Sequence, residues 1–153
     1  MGAELMGRTV GGAYPVDKLT PHHATVLTPD RGNGTILVVE DEVLVRAVVT
    51  DELRQQGYTV VEAANAEDAL SVLHSNVRVD LLLTDVQMPG SLDGVGLARL
   101  VRADYPFVKV VMASSRMPDI EANETADGFF SKPYDFPKLF GHIKALVARG
   151  TTN

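Results

Sequence analysis

The chain has 153 residues, 45% hydrophobic and 22% charged, a balance typical of one globular domain with its own core. Its net charge of −6 and its lack of a basic run argue against general nucleic-acid binding, which needs clustered Lys and Arg. The lack of cysteine excludes disulfides and cysteine-bound zinc. The lack of a long apolar stretch predicts a cytoplasmic protein with no membrane partner.

In chain order, residues 1–33 come first and are rich in Gly, Pro, Thr and His without periodicity, which predicts a disordered extension. We expect the folded domain to span 34–149 and a short tail to span 150–153. Within the domain, short apolar runs typical of buried strands lie at 35–39, 58–63, 80–85, 108–114 and 128–132.

Helical patterns separate these runs. Residues 42–56 lack Gly and Pro and are followed by Gly57, which predicts a helix with a glycine at its C-terminal end. An amphipathic stripe runs from 66 to 73, Asp93 can cap a third helix, and the last helix spans 136–147. The segment 115–127 has little apolar stripe, so the fourth helix is expected to be short or distorted.

This alternation predicts an α/β fold with a doubly wound, five-stranded parallel sheet. In such sheets ligands bind beyond the carboxyl ends of the strands. The residues at those ends are carboxylates, hydroxyls and an ammonium: Glu40, Asp41, Asp85, Ser114, Ser115 and Lys132. Clustered carboxylates favour Mg²⁺, and a nearby Lys suits a phosphoryl oxygen, so the sequence predicts a site that holds a phosphoryl group.

Four motifs at these strand ends resemble the receiver domain of two-component response regulators. They are "ILVVEDE" at 36–42, "LLLTDVQMPG" at 81–90, "VVMASS" at 110–115 and "FFSKPY" at 129–134. The resemblance covers roughly residues 34 to 149. It implies a flavodoxin-like sheet of order 2-1-3-4-5. The chain departs from the family pattern between Ser114 and Lys132, where the 17 intervening residues are about one helical turn fewer than usual.

The resemblance implies the chemistry of the site. Asp85 would accept a phosphoryl group from a phosphohistidine, with Lys132 pairing with the phosphoryl oxygens. Glu40 and Asp41, together with Asp85 and the backbone carbonyl of Gln87, would hold Mg²⁺. Gln87 also occupies a position that tunes the phosphoryl lifetime in this family.

It also implies a conformational switch. Ser114 would be the hydroxyl that responds to phosphorylation, and Phe129 the aromatic side chain that turns inward. Ser115 stands where the family favours a small residue, and Arg116 is the second position that tunes the phosphoryl lifetime. The peptide bond before Pro133 is expected to be cis.

The implied function is that of a phosphorelay receiver that catalyses only its own phosphotransfer and autodephosphorylation. Its partner would be a histidine kinase or a histidine phosphotransfer protein, docking beside the first helix and the loop of Lys132 and Pro133, with Tyr134 at the rim. Because "RGTTN" follows the last helix, we expect a stand-alone receiver with no output domain.

Three alternatives keep the fold and change the function. The first is a pseudo-receiver, an interaction module that is never phosphorylated; the full set of acids, Ser and Lys argues against it. The second is a haloacid-dehalogenase-type phosphatase, which needs a second carboxylate where this chain has Gln87. The third is an FMN-binding flavodoxin, whose phosphate the acidic loop at 40–42 would repel.

Overall fold

The computed structural model describes residues 32–117 and 120–151, and within them five strands alternate with five helices. The strands are β1 (Thr35–Val39), β2 (Thr59–Ala63), β3 (Leu81–Asp85), β4 (Lys109–Ser114) and β5 (Gly128–Ser131). The helices are α1 (Val43–Gln55), α2 (Ala66–His74), α3 (Gly94–Asp104), α4 (Ile120–Thr125) and α5 (Phe136–Thr151).

The sheet has the order β2-β1-β3-β4-β5, and every neighbouring pair is parallel. The predicted order 2-1-3-4-5 is therefore confirmed. Strand order reverses beside β1, because β2 lies on one side of it and β3 on the other. This switch point is where open α/β sheets leave a crevice at the carboxyl ends of their strands.

Both faces of the sheet are buried, which explains why the strands read as continuous apolar runs. Leu37 and Val39 of β1 point into one cluster, whereas Ile36 and Val38 point into the other. The first cluster includes buried residues of α2, α3 and α4, and the second includes residues of α1 and α5.

The helix ends follow the predicted signals closely. The side chain of Asp93 accepts a hydrogen bond from the amide of Gly96 at 2.9 Å and so caps α3. Gly57 follows the end of α1 with a φ of 92°, a backbone conformation that favours glycine. Among the described residues, no helix is long and apolar enough to span a membrane.

The fourth helix is short, as predicted, with six residues. Its one buried residue is Ala122, so packing on the sheet alone gives it little support. Two arginines of α3 hold it from outside: Arg99 pairs with Glu121, and Arg102 donates a hydrogen bond to the carbonyl of Thr125 at 2.6 Å. An arginine that bonds a last-turn carbonyl stabilises a helix C-terminus.

The predicted extension, residues 1–33, lies outside the described ranges except for its last two residues. Asn33 makes two hydrogen bonds at the end of α1. Its side-chain Nδ2 donates to the carbonyl of Gln56 at 2.6 Å, and its backbone amide donates to the carbonyl of Gly57 at 3.3 Å. At the other end, α5 continues to Thr151, two residues into the predicted tail of 150–153, whose last two residues lie outside the described ranges. The domain bounds of 34–149 stay a prediction.

Candidate functional site

The acids at the switch point are brought together by the pairing of β1 with β3. Val39 lies opposite Thr84, so the next residues, Glu40 and Asp85, lie side by side at the carboxyl ends of β1 and β3. Asp41 follows Glu40, and one carboxylate oxygen from each of the three acids lies within 4.8 Å of the others. Glu40 is only 2% exposed, which is unusual for a carboxylate.

Lys132 enters this acidic cluster from the far side of β4. Its amide donates a hydrogen bond to the carbonyl of Ser114 at 2.9 Å, which continues the pairing of β4 with β5 beyond Ser131. Its Nζ donates to Glu40 Oε2 and lies 3.2 Å from Asp85 Oδ2. One ammonium therefore bridges two carboxylates, and the lysine side chain is only 13% exposed.

Burial and the neighbouring groups together shift the pKa values of Glu40 and Lys132. Burial raises the pKa of Glu40 above its ordinary value, against the lowering effect of the hydrogen bonds from Lys132 and from the amide of Glu42. Burial alone would lower the pKa of Lys132, but its hydrogen bond to Glu40 and the charge of Asp85 outweigh it and raise the pKa.

Ser114 lies at the end of β4 and is buried. Its hydroxyl accepts a hydrogen bond from the amide of Arg116 at 3.1 Å, which ties it to the following loop. Ser115 and Gln87 are exposed and line a cavity of about 740 Å³ beside Asp85. Arg116 is exposed on the same loop.

The aromatic and proline positions lie on β5 and just beyond it. Phe129 is half-buried and packs against the first core cluster. The Lys132–Pro133 peptide is cis, in agreement with the prediction. Tyr134 lines the cavity and is only partly exposed; burial raises the pKa of its phenol, and the charges of Glu40 and Asp85 add to the effect.

Two residues at the site carry no motif and were missed from the sequence. Gly94 is the first residue of α3, and a Cβ there would lie 1.8 Å from the carbonyl oxygen of Asp85. Arg46 of α1 donates a hydrogen bond to the carbonyl of Glu40 at 2.7 Å. Gly94 could have been found from the sequence. Glycine is a poor helix former, so its presence at the start of a predicted helix suggests that another part of the backbone approaches closely there.

The donor set fits Mg²⁺. Its ligand atoms are all carboxylate oxygens, and Mg²⁺ prefers oxygen ligands from one or two carboxylates together with water or phosphate. The three acids outnumber the ammonium of Lys132, so the cluster carries excess negative charge that a divalent cation would neutralise. One feature of Glu40 opposes direct binding, since its two oxygens already accept hydrogen bonds from Lys132 and from the amide of Glu42.

Comparison with known proteins decides the family. A family model described as the response regulator receiver domain matches residues 36–144. The chain belongs to this family. The receiver superposes on the response regulator TrrA of Thermotoga maritima, a structure in complex with Mg²⁺ and BeF, with a TM-score of 0.67 and 30% identity over 73% of this chain and 97% of TrrA.

Other receivers give similar matches. A CheY-like receiver domain protein from Methanospirillum hungatei superposes with a TM-score of 0.70 and 25% identity, covering 76% of this chain and 94% of its own. The sensor kinase CckA of Brucella abortus is 36% identical over 77% of this chain, and the regulatory protein PhoB of Pseudomonas aeruginosa is 31% identical over 75%. This chain spans only 13% of CckA and 52% of PhoB, so the stand-alone arrangement stays a prediction.

Proposed function

We propose that this receiver takes a phosphoryl group on Asp85 from a phosphohistidine, as an element of a phosphorelay. One observation carries the proposal: the Asp85 carboxylate at the switch point lies 3.2 Å from the ammonium of Lys132, inside a cluster of acids suited to a divalent cation. Asp85 lies at the end of an apolar strand, is partly shielded from solvent and is next to the ammonium of Lys132, so its carboxylate is suited to act as a nucleophile.

The transfer is balanced without any added reactant. An oxygen of the Asp85 carboxylate attacks the phosphorus, an acyl phosphate bond forms, and the phosphorus–nitrogen bond of the phosphohistidine breaks. The electron pair of that bond returns to the imidazole nitrogen of the donor. Autodephosphorylation follows when water attacks the same phosphorus, which restores the carboxylate and releases phosphate. The protein mainly supplies alignment and charge neutralisation.

Asp41, Asp85 and Glu40 would hold Mg²⁺, with the carbonyl of Gln87 as the expected fourth ligand from the protein. When bound, the ion neutralises negative charge on the phosphoryl oxygens. The Mg²⁺ and BeF in the structure of TrrA support this assignment, since that protein belongs to the same family. Lys132 acts on a second side of the phosphoryl group, where its ammonium can leave Glu40 for the new oxygens.

Phosphorylation would be read out through Ser114 and Phe129. The Ser114 hydroxyl bonds the amide of Arg116 and could exchange that bond for a phosphoryl oxygen. Reversing a two-state equilibrium from 1:99 to 99:1 takes roughly 5.5 kcal/mol. Charge-assisted hydrogen bonds of about 1.5–3 kcal/mol each, from Ser114 and Lys132, are of the right size. Gln87 and Arg116 are assigned to tuning the phosphoryl lifetime, and Ser115 to leaving the phosphoryl group room to enter.

The partner would be a histidine kinase or a histidine phosphotransfer protein that docks on α1. Two apolar side chains of this helix, Leu44 and Val48, are 80% and 55% exposed and line the cavity that contains Asp85. Pro133 and Tyr134 line the same cavity. Apolar surface next to the phosphoacceptor suits a partner helix that presents a phosphohistidine beside apolar residues. The cytoplasmic location expected from the sequence belongs to this proposal as well.

The test is to add MgCl₂ and then beryllofluoride, or a small phosphodonor, and to follow the backbone amide NMR shifts. The wild type should respond most strongly near Asp85, Ser114 and Lys132, with further shifts at Phe129 if the switch operates. Asp85→Asn should lose the response to the phosphoryl mimic. Asp104→Asn is the matched control, since it neutralises an exposed aspartate at the far end of α3.

Each outcome separates the candidate functions. A response in the wild type and in Asp104→Asn, but not in Asp85→Asn, supports the phosphoacceptor function. An equal response in Asp85→Asn would place the bound group elsewhere and contradict the assignment of Asp85. No response in any protein would contradict phosphorylation altogether and favour the interaction module that lacks it.

A further inference from the structure

Arg46 connects the acidic loop to the edge strand of the sheet. The arginine lies in the first turn of α1, and its Nη1 donates a hydrogen bond to the carbonyl of Glu40 at 2.7 Å. The amide of Glu40 donates to the carbonyl of Ala63 on β2 at 3.1 Å. The backbone is therefore held on both sides of Glu40, the residue with which the chain leaves β1 for the site.

The arginine is itself held in place. Its Nε lies 3.3 Å from Glu62 Oε1 on β2, and the other oxygen of Glu62 lies 3.2 Å from Arg54 Nη2. The two arginines differ in burial and in what they bond: the Arg46 side chain is 18% exposed, whereas that of Arg54 is 48% exposed. Arg54 donates a hydrogen bond to the carbonyl of Val60, the second residue of β2, rather than to the carbonyl of Glu40.

We propose that Arg46 is a positioning residue for the acidic pair, acting through the carbonyl of Glu40, with Glu62 fixing the arginine. The inference rests on the proposed function, since it concerns the same site. The two carboxylates of residues 40 and 41 lie close to Asp85, and repulsion among the three acids favours opening of the loop. A planar guanidinium that bonds a carbonyl and a carboxylate together resists this opening better than a single contact does.

The sign of the effect distinguishes positioning from simple electrostatics. Removing a positive charge near the acids would, by Coulomb attraction alone, make Mg²⁺ bind more tightly. Loss of a group that orients the ligands acts in the opposite direction, and removing such outer partners typically weakens metal binding by about 10- to 100-fold. Weaker Mg²⁺ binding on removal of Arg46 is therefore the result that only a positioning role explains.

The experiment measures the Mg²⁺ dissociation constant of the full chain by calorimetric titration with MgCl₂. The variants are Arg46→Gln, Glu62→Gln and the matched control Arg54→Gln, which removes an α1 arginine that also pairs with Glu62. We expect the dissociation constant to rise about tenfold in Arg46→Gln and less in Glu62→Gln. It should stay within about twofold in Arg54→Gln, because an exposed ion pair contributes little. Thermal unfolding without Mg²⁺ checks that every variant is folded.

A dissociation constant that is unchanged or lower in both Arg46→Gln and Glu62→Gln would overturn the proposal. An equal rise in Arg54→Gln would overturn it too, since the effect would then belong to the ion pairs between α1 and β2. A small phosphodonor added to the wild type tests the proposed function separately. If the wild type binds Mg²⁺ in an Arg46-dependent way but takes no phosphoryl group, the positioning role stands and the phosphoacceptor function fails.

Discussion

Glu40 shows the conflict between stability and chemistry at the scale of one residue. A carboxylate with 2% exposure is costly to bury, and it faces the negative charge of Asp85. The hydrogen bonds from Lys132 and from the amide of Glu42 offset only part of this cost, because the pKa of Glu40 remains raised. A site that attracts a divalent cation is thus a site that destabilises the fold when no cation is bound.

This conflict predicts the pH dependence of Glu40→Gln. A raised folded-state pKa means that Glu40 supports folding below its ordinary pKa of 4.5 and loses this contribution as the pH rises through the raised value. Glutamine mimics the protonated acid and can still accept from Lys132. Without Mg²⁺, the variant should therefore have a higher free energy of unfolding than the wild type at about pH 7, with the difference vanishing below about pH 4. Denaturant unfolding at several pH values measures it.

The control for this prediction is Glu42→Gln, which removes an acid from an exposed neighbouring position. It should show a much smaller gain at neutral pH, because no burial is relieved. A Glu40→Gln protein that is less stable than the wild type at neutral pH would contradict the argument. That result would mean that the ion pair with Lys132 outweighs the cost of burial.

At the scale of elements, the start of α3 is packed directly on the end of β3. A Cβ at Gly94 would lie 1.8 Å from the carbonyl oxygen of Asp85 and 2.9 Å from the Cα of Val86, both of them backbone atoms that cannot rotate away. We expect Gly94→Ala to push α3 off the strand end, with a loss of about 1–3 kcal/mol in the free energy of unfolding. Because Asp85 moves with its carbonyl, phosphoryl uptake from a small donor should slow as well.

Gly141→Ala serves as the control for Gly94→Ala. Gly141 is exposed on α5, and a Cβ there meets nothing within 4 Å. Alanine should stabilise this helix by about 1 kcal/mol and leave phosphoryl uptake unchanged. Equal stability of Gly94→Ala and the wild type in denaturant unfolding would contradict the close packing of α3 on β3.

At the scale of the whole molecule, the sequence predicts which residues meet at the site better than it predicts the hydrogen bonds and ion pairs between them. Continuous apolar runs separated by helical patterns determine a parallel sheet, and the parallel sheet brings Glu40, Asp85, Ser114 and Lys132 to one edge. The partners of each side chain depend on register and rotamer, which no periodicity encodes. The bridging of Glu40 and Asp85 by Lys132 and the bond from Arg46 to the carbonyl of Glu40 therefore emerge only from the structure.

The start of the domain gives a prediction for the whole chain. The sequence places this start at residue 34, but Asn33 makes two hydrogen bonds to the end of α1, and the carbonyl of Gly34 accepts one from the amide of Thr59 at 2.9 Å. A chain that starts at Gly32 should keep the free energy of unfolding of the full chain within about 0.5 kcal/mol. A chain that starts at Thr35 should lose about 1–2 kcal/mol, since these hydrogen bonds are partly exposed. Denaturant unfolding of the three chains measures both differences, and a large loss already at Gly32 would show that residues 1–31 contribute to the stability of the receiver.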